Sequence, residues 1–435
     1  MNQTIAQLMQ DTIRDPPWLQ KALQSAVELE LSTLPPYLCG YWALKDSTSY
    51  PATQINNIFF QEMLHFGLAC NMLAATGKKP EVIKGYGTIE YPGPLPGGVV
   101  PACDGDLIPC DPNFKVMLGF PDFHAFAWMC AQIEYPEDPV PRPAAALAEE
   151  TFATIGQFYD AVAQAFHDNT DKIPYDTSNQ HKGPLKLFLV DSLDKAIAAI
   201  QLIQQQGEGG SKNPFSAPNQ LSHFYAFGEI YYGHKYVFNT AKGSGDWTGD
   251  PVTITDADVY PITPVPAGGY TSPPAEVVDF DRSFTQMLTD LDEAWAPGGA
   301  AKLSAAIGVM PDLTDKAVTL LGKQMARPGG GIYGPQFRIN TSAPEGGGTG
   351  GGGTMPVSFD KEIKPLFRTI DINHMKPMGV LLSDYGYMSD PSNDHGNAQA
   401  VLDVLKDQEM PPGGPFWGQD KLDLFAKWMS DGYKP

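Results

Sequence analysis

The stretch FFQEMLHFGLACNMLAATG, residues 59–77, sets Glu62 and His65 one helical turn apart among Phe, Met, Leu and Ala. Its apolar stripe passes through Ile55, Phe59, Ala69, Met72 and Leu73, and both polar residues fall on it. A carboxylate carried into a core without partners is costly, so these residues must meet something that compensates them. The same phase argument turns three more carboxylates inward: Glu30 on the stripe Leu23–Val27–Leu34, Glu134 after Phe123, Ala127 and Cys130, and Glu208 beyond Ile200 and Gln204. His223 shares a face with Phe227 and Ile230, whereas Glu28 points outward and Glu229 points elsewhere. Alone, a Glu-x-x-His is most often an exposed pair or a capped core histidine. Four acids aimed into one core repel unless cations neutralise them. Oxygen-rich ligation with two imidazoles suits two iron or manganese ions, and the Glu-x-x-His spacing sends both side chains toward one ion. Zinc is less favoured, because no Cys/His cluster has structural-zinc spacing.

The chain's 435 residues, 42% of them hydrophobic, allow two or more units. Helical periodicity predicts helices over 17–34, ended by Pro35-Pro36, over 52–76, closed by Gly77, and over 121–135 and 151–166. It continues over 186–210 and resumes over 219–236. The fold class is all-α: a helical bundle over 1–240, then a Pro/Gly-rich wrap over 241–345 belonging to the same domain. Short helices are expected near 280–295, 300–309 and 314–325. The run GGGTGGGGT marks a linker at 346–356, and residues 357–435 form a small separate helical unit.

A net charge of −21 argues against nucleic acid and against an anionic membrane surface as partners. The N-terminus lacks a basic start followed by an apolar run, and no uncharged apolar stretch reaches membrane-spanning length, so a cytoplasmic protein is expected. A small-molecule substrate is the expected partner, and a homodimer is compatible with the apolar bundle. Cys39, Cys70 and Cys130 read as reduced core thiols, while Cys103 and Cys110 flank a Pro/Asp/Gly loop and could bridge.

The runs AVELELSTLPPYLCGYWAL, QEMLHFGLACNMLAATG, FAWMCAQIEYPED, TIGQFYDAV, QQGEGG, LSHFYAFGEIYYG and PGGGIYGPQFR resemble the ferritin-like domain of the iminophenyl-pyruvate dimer synthase family. That family includes the enzymes of violacein and rebeccamycin assembly that couple two amino-acid-derived imines. The resemblance spans roughly residues 15–340. It implies a ferritin-like four-helix bundle with a dinuclear metal site held by Glu30, Glu62, His65, Glu134, Glu208 and His223. Two departures stand out. Glu208 and His223 are separated by a Gly/Pro loop, where simple ferritins carry a Glu-x-x-His, and the long additional region of the pathway enzymes is missing.

The C-terminal runs VSFDKEIKPLFRTIDINHMKPMG, NAQAVLDVLKDQEMPPGGPFW and DKLDLFAKWMSDGYKP look like a small cytochrome-c-type domain. His374 and Met410 sit where axial haem ligands would. Both attachment cysteines of a Cys-x-x-Cys-His motif are missing, so haem is not expected and a packing shell is the simpler reading. Two iron or manganese ions in a bundle would support oxidation of a small substrate by dioxygen or peroxide, and the family resemblance implies an amino-acid-derived or aromatic one. Tyr37, Phe126, Trp128, Tyr159, Phe224 and Tyr225 lie on the ligand-bearing segments and could line its pocket. Two other readings are metal binding without turnover and a metal-free scaffold. No Ser/His/Asp set, phosphate loop or dinucleotide fingerprint supports a different enzyme class.

Overall fold

The computed structural model describes residues 5–99, 107–111, 113–136, 154–207, 214–218, 220–239, 241–242, 244–340, 357–368, 371–372, 375–376, 379–392, 395–406 and 417–435. The chain divides into two compact units, Met1–Thr341 and Ser342–Pro435, each with its own apolar core.

In the first unit α1 spans Ile5–Gln10 and α2 spans Pro16–Ala43. The Asp15 side chain caps α2 by accepting from the Trp18 amide, and prolines fill its first turn, where no amide is needed. The expected break at Pro35-Pro36 does not occur. Pro36 leaves the Ser32 carbonyl without its helical donor, and the Tyr91 hydroxyl replaces it at 2.7 Å. The helix therefore continues far enough to carry Tyr37 and Gly40. Next come α3, Tyr50–Ala75, closed by Gly77 at φ +81°, and α4, Val82–Tyr86. α5, Phe123–Ile133, α6, Ile155–Asp168, α7, Leu193–Gly207, and α8, His223–Tyr232, complete the central bundle. A capping box of Thr154 and Gln157 starts α6. α2 packs on α3, α5 on α8 and α6 on α7.

Helix α3 is long and apolar enough to cross a membrane, yet 83% of its most apolar window is buried within the unit, where it serves as a core helix. Cys39, Cys70 and Cys130 are free and buried, Cys110 is disulfide-bonded, and Cys103 lies outside the described residues.

The fold is mostly helical, with two short antiparallel hairpins that the periodicity did not suggest. β1, Phe215–Ala217, pairs with β2, Gln220–Leu221, and β3, His234–Asn239, pairs with β4, Ser244–Pro251. Helix α8 stops at left-handed Gly233, where continuation to residue 236 was expected. The buried Trp247 of β4 presses on α8 at Gly228, where an added Cβ would come within 2.4 Å of the ring. Aromatic packing thus holds the second hairpin on the helix that begins with His223.

Helices α9, Ala275–Ala294, and α10, Ala300–Lys323, pair with each other and flank α2 and α4. The two helices expected over 300–325 are one, because Pro311 falls on the exposed side. On α9, Asp281 is only 2% exposed and accepts from Gln336 Nε2 at 2.7 Å and the Arg338 amide at 3.0 Å. Burial outweighs these bonds and pushes its carboxyl up to about 7. The folded protein then keeps a proton that the unfolded chain gives up near pH 4. The associated stability is fully present below that pH and is lost as pH rises through 7. Urea midpoints between pH 4 and pH 7 should fall for the native chain relative to Asp281→Asn by an equivalent of roughly 2–4 kcal/mol. A pH-independent difference would show that Asp281 is ionised in place.

The second unit contains α11, Tyr385–Met388, α12, Gly396–Lys406, and α13, Gln419–Ser430. They enclose Phe359, Phe425 and Trp428, with the Phe359 and Trp428 rings 5.2 Å apart. His374, Met410 and the linker at 346–356 lie outside the described residues.

Candidate metal centre

Five of the six sequence candidates converge. Glu30 projects from α2, Glu62 and His65 from α3, Glu134 from the residue that caps α5, and His223 from the first residue of α8. None is more than 5% exposed. They form two triads, Glu30–Glu62–His65 and Glu62–Glu134–His223, and within each triad one ligand-type atom per residue lies within 4.8 Å of the others. Glu62 belongs to both. Its Oε1 stands 2.8 Å from His223 Nδ1 and 3.4 Å from His65 Nδ1, while the Thr33 hydroxyl donates to its Oε2 at 2.7 Å.

The sixth candidate, Glu208, lies outside the described residues. Its neighbour Gly207 ends α7 against the cluster, where an added Cβ would come within 3.2 Å of Glu134 Oε2. Glu229 is buried but apart, accepting from the Tyr50 hydroxyl and the Tyr236 amide. Glu28, expected on the outside, is buried as well, because α4 closes over it and Gln24 donates to it.

Around the triads the partners repeat. Tyr159 on α6 donates to Glu30, and Tyr37 on α2 donates to Glu134. Gln206 Oε1 lies 2.9 Å from His65 Nε2, and Gln61 Oε1 lies 2.7 Å from His223 Nε2. An amide oxygen only accepts, so each Nε2 carries a proton and each Nδ1 faces the carboxylates. Gln61, Gln206 and Thr33 escaped the sequence reading: glutamines and threonines beside an apolar stripe carry no pattern that separates them from surface residues. Of the aromatic residues expected around a substrate, Tyr37 and Tyr159 bind the carboxylates. Phe126 instead packs on Phe120, Phe123 and Phe227, Phe224 and Tyr225 pack on Trp247, and Trp128 donates to the Pro109 carbonyl.

The electrostatics are those of crowded charge in a buried interior. Burial, with Glu62 as neighbour, pushes the Glu30 carboxyl up to about 8. Burial would also raise Glu62, but the His65 and His223 imidazoles outweigh it and hold Glu62 below the usual carboxylate range. For His223 burial opposes protonation, and Glu134 and Glu62 overcome it, lifting the imidazole to about 10. The buried Nδ1 of His223 nevertheless makes no properly directed hydrogen bond, although it sits among carboxylate oxygens. A nitrogen so placed, with its opposite ring nitrogen fixed by an amide, fits a metal ion that displaces its proton. The carboxylate and imidazole donors of each triad could hold a metal ion.

A ferritin-like family model matches residues 23–232, a span that includes Glu30, Glu62, His65, Glu134 and His223. The chain contains a ferritin-like domain. No curated protein matches the chain. Among solved structures, a ferritin-like protein from Caulobacter vibrioides, determined at 1.95 Å resolution, is similar at 24% identity. The match covers 70% of this chain and 94% of that one, with a TM-score of 0.47.

Proposed function

We propose that the ferritin-like domain is a dinuclear non-haem oxidoreductase. In this reading it holds two iron or manganese ions and uses dioxygen or peroxide on a small, amino-acid-derived or aromatic substrate. The observation that carries it is the pair of buried triads joined at Glu62. Buried carboxylates with no cation nearby destabilise a core, and inward-facing Glu and His residues are how bundles of this kind hold paired ions. The substrate class follows from the resemblance to the iminophenyl-pyruvate dimer synthase family.

Held by Glu30, Glu62, His65, Glu134 and His223, two such ions would supply electron transfer to dioxygen or peroxide. The chain's own residues set the conditions for it. Glu62 spans both positions, Tyr37 and Tyr159 fix the outer carboxylates, and Gln61 and Gln206 hold the imidazoles in one tautomer. Burial excludes water and strengthens every one of these interactions. The second unit is read as a cytochrome-c-like helical shell without attached haem.

Anaerobic loading with ferrous or manganous ion should leave about two ions per chain after desalting. The loaded protein should then consume dioxygen or peroxide only when an amino-acid-derived imine or aromatic amine is added. Absence of bound metal after loading would end the metal reading, and bound metal without substrate-dependent consumption would reduce the domain to a metal-binding protein.

A further inference from the structure

The second unit holds a cavity of its own, of about 200 Å³. Helix α12 turns one stripe toward it, Asn397, Ala400, Val401, Val404 and Leu405, the spacing that a helix gives a single face. Phe367, Tyr387 and Trp417 join the wall. The Phe367 and Trp417 rings stand 5.1 Å apart, and Phe425 of α13 backs them at 6.2 and 6.0 Å, so this side of the cavity is built before any ligand enters. Ala400 lines the cavity yet is exposed, which places it at the mouth.

Asp371 and Asn397 bring polar atoms to this apolar surface. The Arg368 guanidinium donates to both Asp371 oxygens, from Nε and from a terminal nitrogen, each at 2.7 Å. That charge is therefore answered within the chain. Asn397 donates through Nδ2 to the Tyr387 carbonyl at 3.0 Å, which orients the amide, and its Oδ1 accepts no hydrogen bond among the described residues. An acceptor held in place and left without a donor is the kind of polar group that orients a ligand in an otherwise apolar pocket.

Size and charge narrow the occupant. An apolar cavity of about 150 Å³ takes a benzene ring, so one a third larger takes roughly eight non-hydrogen atoms, a single ring with a short substituent. That is far short of a porphyrin, the ligand a cytochrome-c-type fold would otherwise suggest. With Asp371 already paired, an ionised ligand would be buried without a counter-charge, which is costly. We propose that the cavity binds a neutral single-ring phenol, its ring against Phe367 and Trp417 and its hydroxyl donating to Asn397 Oδ1. Fixed aromatic walls favour a flat ring over a puckered one of equal size. The assignment rests on residues of the second unit alone and does not depend on the metal reading.

Calorimetric titration of the full chain with 4-methylphenol tests this, beside toluene, 4-methylcyclohexanol, 4-methylbenzoate and 2-naphthol. The phenol should bind more tightly than 4-methylcyclohexanol, whereas the ionised benzoate and the bicyclic naphthol should not bind measurably. Ala400→Trp, at the mouth, should abolish binding, and Val404→Phe provides a second block if the first variant fails to fold. Asn397→Leu should weaken 4-methylphenol about tenfold, the worth of one hydrogen bond, and leave toluene unchanged. Asn397→Ala serves the same purpose if the leucine variant unfolds. No uptake of 4-methylphenol by the native chain, or binding that persists in a folded blocking variant, overturns the site. Equal affinity for 4-methylcyclohexanol overturns the aromatic assignment, and equal effects of the Asn397 variants on 4-methylphenol and toluene overturn the hydrogen bond.

Discussion

Glu62→Ala should leave the protein with almost no bound iron or manganese, whereas Glu30→Ala and Glu134→Ala should each lose about one ion of two. The asymmetry follows from sharing. Glu62 Oε1 faces both imidazoles and belongs to both triads, so its removal takes one of three donors from each position at once. Glu30 and Glu134 serve one triad each. Ions that bind only the folded state stabilise it, by about 4 kcal/mol per site at a thousandfold excess over Kd. The native protein should therefore melt well above its chelated form, and Glu62→Ala should melt at the same temperature with or without added metal. Elemental analysis beside thermal melts decides the matter; a Glu62→Ala protein that keeps both ions would sink the shared-ligand arrangement.

A comparably large effect is expected where nothing ionises. Gly40 on α2 lies directly against the Phe126 ring of α5, and a Cβ there would come within 2.0 Å of Cζ and within 2.5 Å of both neighbouring ring carbons. Phe126 is fully buried among Phe120, Phe123 and Phe227, so the ring cannot simply swing out. Gly40→Ala should cost about 3 kcal/mol of stability, at the upper end of overpacking penalties. Pushing α5 away also draws Glu134 from the Tyr37 hydroxyl, so metal held by the second triad should weaken as well. Adding Phe126→Leu should restore at least half of the lost stability in urea unfolding. A single variant within about 0.5 kcal/mol of the native protein would mean that α5 yields freely.

Helical phase alone was enough to turn Glu30, Glu62, His65, Glu134 and His223 inward, because each sits on a stripe whose other members are apolar. Features that depend on a second, distant element were not legible. Glu28 faces away from the cluster as its phase requires, but α4 arrives from more than fifty residues downstream and buries it. The prolines at 35 and 36 read as a helix end until Tyr91 supplies the missing donor. The second hairpin depends on Trp247 finding the bare backbone at Gly228, a match no local pattern announces. The imidazole partners Gln61 and Gln206 are ordinary polar residues until the bundle closes.

The order in which the triads appear along the chain has a bearing on synthesis. Glu30, Glu62 and His65 leave the ribosome early, on α2 and α3, whereas the second position needs Glu134 and then His223 at the start of α8. A nascent chain that has not yet exposed α8 can complete only one triad. On the dinuclear reading proposed above, an ion at the second position would wait for translation and bundle closure, unlike the ion of a small metal-nucleated domain, which drives folding.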